Sequence, residues 1–401
     1  LTSDQDVARL GSRALFPTLE PFAYLNHSAI SPLSAPVVGA LQEVAQDYAR
    51  RGLGAFVRWR DQREALRGQL AGLIGAQARD VALVPNTSHA VLYVALCFPW
   101  APGDRVVVLE GEFPTNVTPW QRASALFGVE LVWLKAAEFG GEGVGLQRLE
   151  EVLRGGVRLV ATSAVQFQTG LRMPWEEMAA LCGRYGAQLF VDAIQAVGSV
   201  PVDVAVGIDY LACGSHKWLM GPEGAGFLYV SPARVAALRP HAAAWLSHEE
   251  ALKFLFEGPG ELRYDRPIKA GADFLELGAP QTAICAGLGA AVSLLAPLGI
   301  QNVYNHIQDY LDPLEAGLVA RGFASERDRD PRGRSGILSV KAPEGLAFAQ
   351  VAEGLARGGV SCSTPDGRLR FAPHWPNHVS EVPRVLEVLD EVLESLAGGA
   401  V

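Results

Sequence analysis

The stretch Ala212–Val230, ACGSHKWLMGPEGAGFLYV, sets His216 and Lys217 side by side between two apolar runs, with glycines on either flank. Leu211, Trp218, Leu219 and Phe227 hem the lysine in, and an ammonium in apolar surroundings is unfavourable unless it is paired or loses its proton. The runs YLACG and GAGFLYV are apolar nearly throughout, as strands buried on both faces are. Taken alone, a lysine at a strand end reads as a surface residue. The motifs around it reverse that reading.

Working upstream, the β-rich runs VALVP, RVVVLE, LVWLK, VRLVATSAV and AQLFVDA alternate with helical segments. Strands alternating with helices predict an α/β fold with a mostly parallel sheet covered on both faces. Ahead of them, SAPVVGALQEVAQDYARR and WRDQREALRGQLAGLIGA place apolar residues at three- and four-residue steps, the helical period. Downstream of about residue 285 a second αβ set follows. It comprises a long helix through AICAGLGAAVSLLAPLG, a helix before Gly322, strand-like SGILSVKA, helical AFAQVAEGLARGG, strand-like RLRFAPH and an amphipathic helix from Val382 to Leu396. The expected organisation is an amino-terminal segment (1–30) serving the small domain and the active site, a large domain (31–284) and a smaller carboxy-terminal α/β domain (285–401). Residues 231–280 carry no clear period.

Hydrophobic residues make up 49% and charged residues 19% of the 401-residue chain, enough apolar surface for a substantial globular core. The net charge of −9, with no Lys/Arg-rich run, offers no footprint for a polyanion, so no nucleic-acid partner is expected. Five scattered cysteines give neither a disulfide framework nor paired zinc-ligand spacing, and no metal site is expected. The first twenty residues do not read as a secretory signal, and apolar runs such as 90–99 are too short to span a bilayer. The expectation is a soluble cytoplasmic protein without membrane contact.

Ligands of open α/β sheets bind outside the carboxyl ends of the strands. Five loops there are polar: PNTSHA after Val84, GEFPTNVTPW after Glu110, QFQTG after Val165, DAIQ after Val191 and GSHKW after Cys213. Pyridoxal phosphate needs a lysine for an imine, a carboxylate for its ring nitrogen, donors for its phosphate and a flat partner for its ring. Lys217 is the imine candidate, because desolvation favours the neutral, nucleophilic amine. Asp192 ends an apolar strand, where a cationic partner or a helix N-cap role would each account for it. Thr87 and Ser88 stand where a strand gives way to helical AVLYVAL, and helix amino termini offer N–H groups to a phosphate.

With these residues in place, the chain resembles the class V aminotransferase group of fold-type I pyridoxal-phosphate enzymes, which includes cysteine desulfurases, selenocysteine lyases and isopenicillin-N-epimerase-like proteins. The resemblance runs from FAYLNHSAISPLS through VDAIQAVGSVPVDV, SHKWLMGPEGAGFLYV and FLELGAPQT to RLRFAPHWPNHVSEV. It implies Lys217 as the imine lysine, Asp192 on the ring nitrogen, and Gln195 donating to the cofactor's phenolic oxygen. Thr87, Ser88 and His216 would hold the phosphate, and Gln166 would lie near the ring oxygen. Arg370 would clamp the substrate carboxylate, with Asn26 and His27 as further substrate-side candidates. His27 is equally readable as a turn cap. LELGAPQT resembles the stretch that reaches the neighbouring subunit's phosphate, which implies a homodimer with a backbone contact from Gly278 or Ala279.

Three departures from the family pattern bear on the chemistry. The ring-stacking position, commonly His in desulfurases, is Phe113, which can stack but carries no proton. The loop GGVSCSTPDGRLRF is short, and Cys362 falls at the end of a strand-like segment, where a small buried thiol is the plainer reading than a sulfur acceptor. Gly214–Ser215 precede His216, whereas a serine three residues before the lysine is frequent in the family. The expected activity is transamination of an amino acid or related amine, which needs only Lys217 as base; desulfuration, C–S cleavage or epimerisation on the same scaffold are the alternatives. A nicotinamide-dependent oxidoreductase is disfavoured, because GGEGVG and GPEGAG lack the G-x-G-x-x-G spacing between strand and helix.

Overall fold

The computed structural model describes residues 7–398 except Glu142. In chain order the strands are β1 (Ala23–Tyr24), β2 (Val81–Val84), β3 (Arg105–Glu110), β4 (Glu130–Lys135), β5 (Leu159–Ser163), β6 (Gln188–Asp192), β7 (Tyr210–Gly214) and β8 (Gly226–Val230), then β9 (Ala324–Ser325), β10 (Leu338–Lys341), β11 (Val360–Ser361) and β12 (Leu369–Phe371). Seven of them form one sheet in the order β2-β8-β7-β6-β5-β3-β4. Strands β7, β6, β5, β3 and β4 run parallel, and β8 lies antiparallel to both its neighbours.

Two-residue alternation divides this sheet between two cores. Val107, Leu109, Val160, Leu189, Val191, Leu211 and Cys213 pack into one. Val106, Val108, Leu159, Ala161, Phe190, Tyr210 and Ala212 pack into the other. Successive side chains of a strand point to opposite faces, so a sheet covered by helices on both sides reads as a continuous apolar run. All seven β-rich runs of the sequence are strands of this sheet.

The smaller sheet is antiparallel, in the order β12-β10-β9. The amino-terminal segment joins this end of the molecule: β1 pairs with β11, and Asn26 bridges to Ala372 just beyond β12. One boundary differs from expectation. The helix Thr282–Leu298, expected to open the small domain near residue 285, packs on the helices Ala35–Arg51 and Phe56–Leu73 of the large sheet's side. Its apolar face is nearly all round, so it is buried wherever it finds helical partners. Residues 231–280 hold only short helices, Pro232–Val235 and Lys253–Phe256, and 3-10 turns, which leave no period to read. Among the described residues no single helix is long and apolar enough to cross a membrane.

Candidate active site

The parallel strands deliver their following loops to one edge of the sheet, and there the chain encloses a cavity of about 410 Å³, within the range of small-molecule sites. Its wall draws Asn86, Thr87 and Ser88 from the loop after β2 and Phe113 and Thr115 from the loop after β3. Ser163, Val165 and Phe167 come from the end of β5, and Asp192, Ile194 and Gln195 from the end of β6. His216 and Lys217 follow β7, Ser28 and Ala29 come from the amino-terminal segment, and Pro365 and Arg370 from the small domain.

Lys217 sits in the turn between β7 and β8. Trp218 beside it is wholly buried and donates its indole N–H to Gln195 Oε1 at 2.8 Å. The turn closes through Met220 N to Lys217 O (3.0 Å) and Gly221 N to Ser215 O (2.9 Å), with Met220 at φ 54°, a left-handed conformation unusual for a side chain of its size. Gly198 backs this turn so closely that a Cβ there would stand 2.3 Å from Trp218 O, and its φ is +107°. Gly214 is also tightly backed, since a Cβ there would meet Thr87 Oγ1 at 3.0 Å and Ile194 Cδ1 at 3.1 Å.

Electrostatics separate the roles. Burial lowers the Lys217 ammonium's pKa, and the Arg370 charge lowers it further against the opposing pull of Asp192. Burial raises Asp192, whose Oδ1 accepts from Ile194 N at 3.1 Å, while Lys217 draws it back down. The two form a mutually dependent acid–base pair within one enclosed space. His216 is lowered by burial and by Lys217, which keeps its ring neutral in the neutral range. Phe113 lies with its ring centroid 5.8 Å from Lys217 Nζ and meets Phe167 edge to face at 5.3 Å.

Arg370 is 5% exposed and forms no ion pair among the described residues. Its Nη1 donates to Phe167 O at 2.5 Å and its Nε to Ser363 Oγ at 3.1 Å. Burial alone pushes its guanidinium down to about 10, a sign that no carboxylate among the described residues compensates it. A buried unpaired guanidinium in a cavity wall is a receptor for an anion from outside. Thr87 Oγ1 and Ser28 Oγ, both in residues of the same wall, are buried without hydrogen-bond partners.

Three candidates lie elsewhere than expected. His27 is buried off the cavity, its ring edge-on to Tyr24 (5.1 Å) and His374 (5.2 Å). Asn26 is likewise off the wall, its Oδ1 buried and unpartnered. Pairing of this segment with the residues after β12 sets which side chains it turns inward, and Ser28 and Ala29 take the cavity places. Gln166 stands behind the wall, its Nε2 donating to Glu112 at 3.2 Å. Gln195 does line the cavity, although Nε2 already donates to Ser28 O at 2.9 Å and Oε1 accepts from Trp218, leaving one amide hydrogen. Ser215 spends its hydroxyl on Pro222 O, away from the cavity. Cys362 is enclosed off the cavity and burial raises its thiol to about 12. Gly278 and Ala279 line a separate cleft with Pro85 and Gly224.

Sequence reading missed Glu112. Its carboxylate accepts from Ser163 N at 2.7 Å, from Ser163 Oγ and from Gln166, and so ties the end of β5 to the loop after β3. Burial raises it to about 7, against the bonds from Ser163, and Asp192 adds to the rise. The native state thus holds a proton that the unfolded chain has released between about pH 4.5 and 7, and the stability this gives is lost as pH rises through 7. Glu112→Gln is expected to flatten the fall in apoprotein stability over that window by roughly 3 kcal/mol, read as melting temperature against pH; an unchanged slope would show that Glu112 does not titrate there.

The class V aminotransferase family model matches residues 23–369, which holds nearly every cavity residue. The chain belongs to the class V aminotransferase family. This class V chain is 30% identical over 403 residues to a probable cysteine desulfurase of Methanothermobacter thermautotrophicus, covering 95% of the chain and 96% of the relative. It is 28% identical to the uncharacterized aminotransferase YcbU of Bacillus subtilis, covering 94% and 95%. Among solved structures, the Escherichia coli cysteine desulfurase CsdA superposes with TM-score 0.81 at 25% identity, over 95% and 97% of the two chains. The cystine C-S lyase C-DES, solved with its product cysteine persulfide, superposes with TM-score 0.85 at 22% identity over 93% and 98%. The shared architecture is that of fold-type I pyridoxal-phosphate enzymes, as the resemblance implied.

Proposed function

We propose that this class V protein is a pyridoxal-phosphate enzyme that transaminates a primary amine bearing an α-carboxylate. The observation that carries this reading is the buried, unpaired guanidinium of Arg370 in the same wall as Lys217 and Asp192. Pyridoxal phosphate presents a phosphate, a basic ring nitrogen, a flat ring and an aldehyde. The cavity holds a counterpart for each: the orphaned Thr87 hydroxyl, Ser88 and a helix amino terminus; Asp192; the Phe113 ring; and Lys217.

When bound, the cofactor supplies an electron sink for the substrate's α-carbon. Asp192, held ionised by Lys217 or by any cation at its carboxylate, keeps a proton on the group opposite it. Arg370 orients the substrate through its carboxylate, and the fixed bonds to Phe167 O and Ser363 Oγ keep the fork from swinging. Lys217, its pKa lowered by burial, takes the α-proton at Nζ and returns it. Phe113 offers no second acid or base, so one side chain carries the proton throughout.

Desulfuration through a protein-bound sulfur is the weaker reading. None of the five thiols lines the cavity, and four are buried. The test is the visible spectrum of the purified protein with pyridoxal phosphate, before and after a panel of L-amino acids, with keto acid and sulfide assayed in the same wells. Bleaching of the lysine-bound cofactor's yellow band with keto-acid release supports transamination. Sulfide from cysteine or cystine without bleaching would replace it by C–S cleavage.

A homodimer belongs to the same proposal. Val57 and Phe256 are exposed and line a cleft with Phe56, Leu53 and Leu255 are exposed close by in sequence, and a second copy would cover this apolar surface. Gly278 and Ala279, outside their own cavity, are then free to serve the partner's phosphate. Leu255→Asp with Phe256→Asp is expected to halve the mass found by light scattering; an unchanged mass would place the interface elsewhere. A cytoplasmic location accords with five unpaired thiols.

A further inference from the structure

Three successive carbonyls of the lysine turn are held from outside the large sheet. His216 O accepts from Ser31 N at 2.7 Å, Lys217 O from Ser31 Oγ at 2.6 Å, and Trp218 O from His374 Nε2 at 2.9 Å. The donors come from the amino-terminal segment and from the loop after β12.

Proton counting fixes the sense of these bonds. Ser31 has one hydroxyl hydrogen, and it goes to Lys217 O, so at 2.7 Å from His27 Nδ1 the Ser31 oxygen is the acceptor and His27 carries its proton on Nδ1. His374 Nδ1 accepts from Trp375 N at 2.7 Å, so its proton is on Nε2, facing Trp218 O. Both histidines are buried; burial first and then His374 lower His27, and burial lowers His374 to about 4 against the bond to Trp218 O, with His306 lowering it further. Neither tautomer has a freely rotating alternative.

The same segment is zipped to the arginine strand. Ala372, two residues after Arg370, donates to Leu25 O at 2.7 Å and accepts from His27 N at 3.1 Å. A short path therefore runs from Arg370 through Ala372, His27 and Ser31 to the carbonyl of Lys217. It uses backbone bonds, the His27 imidazole and one hydroxyl.

We propose that Ser31, oriented by His27, is a positioning residue for Lys217, and that it makes residues 25–31 the mechanical link between the carboxylate-binding strand and the reacting amine. This rests on Lys217 being that amine. Loss of the hydroxyl leaves a buried carbonyl short of a donor, loosens the turn and lets water reach Nζ, which moves the amine back toward the ordinary lysine range.

The experiment uses the full chain as wild type, Ser31→Ala, Ser31→Thr and His27→Phe. In the cofactor-free protein, trace acetylation of Lys217 is followed against pH by peptide mass spectrometry. The Ser31→Ala midpoint is expected to rise by about half a pH unit or more, His27→Phe to shift less in the same direction, and Ser31→Thr to stay at the wild-type value. With pyridoxal phosphate added, the pH midpoint of the visible band should move with it. Midpoints equal to wild type in Ser31→Ala, whatever the melting temperature does, would overturn the proposal; if Ser31→Ala does not fold, an unshifted His27→Phe would do so. A wild type that shows no visible band while the acetylation shift persists would sink the cofactor reading and leave the positioning role standing.

Discussion

Lys217→Ala is expected to lower kcat/KM by roughly four orders of magnitude and to abolish the borohydride-trappable link between cofactor and chain. The size follows from how little else the cavity offers. Among the described residues Lys217 is the only lysine in its wall, His216 is held neutral beside it, and Phe113 presents carbon alone where a proton carrier could stand. The same side chain is nucleophile and proton carrier, so its removal costs both functions at once. Added methylamine should restore part of the activity by acting as base from solution, which separates loss of the amine from loss of the fold. Retention of a trapped link in the variant would move the assignment to another lysine.

Arg370→Ala should raise KM for α-amino acids about 100- to 1,000-fold and change turnover of the matching amine without a carboxylate by less than tenfold. Arg370 has no acidic partner among the described residues, so the substrate carboxylate is its counter-charge, and an amine lacking that group forfeits nothing when the arginine goes. Arg370→Lys should recover little. The guanidinium is braced by Phe167 O and Ser363 Oγ through Nη1 and Nε, and a lysine cannot make both contacts while pointing a fork at the ligand. The check is the ratio of kcat/KM for amino acid and amine across the three proteins. Equal losses for both would place the carboxylate elsewhere.

Each of these effects is traceable to features with unequal visibility in the sequence. The strands of the large sheet were legible because burial on both faces forces apolar residues at every position, and the helices between them because one face must be apolar. Lys217, Asp192, Thr87 and Ser88 were legible as polar residues standing where such runs end, whereas Arg370 lies inside β12 and was named by the family resemblance alone. Glu112 was not: it sits one residue after a left-handed glycine in an aperiodic loop, and its partners Ser163 and Gln166 lie about fifty residues away. Residues 231–280 stayed unread because short helices and 3-10 turns leave no period.

Gln166 and His27 show the converse. The resemblance placed Gln166 near the ring oxygen, and the fold ties its amide to Glu112; His27, readable as a pocket residue or a turn cap, packs between Tyr24 and His374. A motif records which residues are near one another along the chain, whereas the face each one presents is set by pairing with strands that arrive hundreds of residues later. The sequence alone pointed to the α/β architecture, to the strand ends as the place of a site and to an amine and a carboxylate there, because local periodicity and the cost of burying charge act residue by residue; the guanidinium came from the family resemblance. Only the tertiary structure decided that the guanidinium lacks a partner, that Ser28 and Ala29 replace His27 at the wall, and that Ser31 holds the lysine turn. Those are long-range hydrogen bonds, and their partners are chosen by packing.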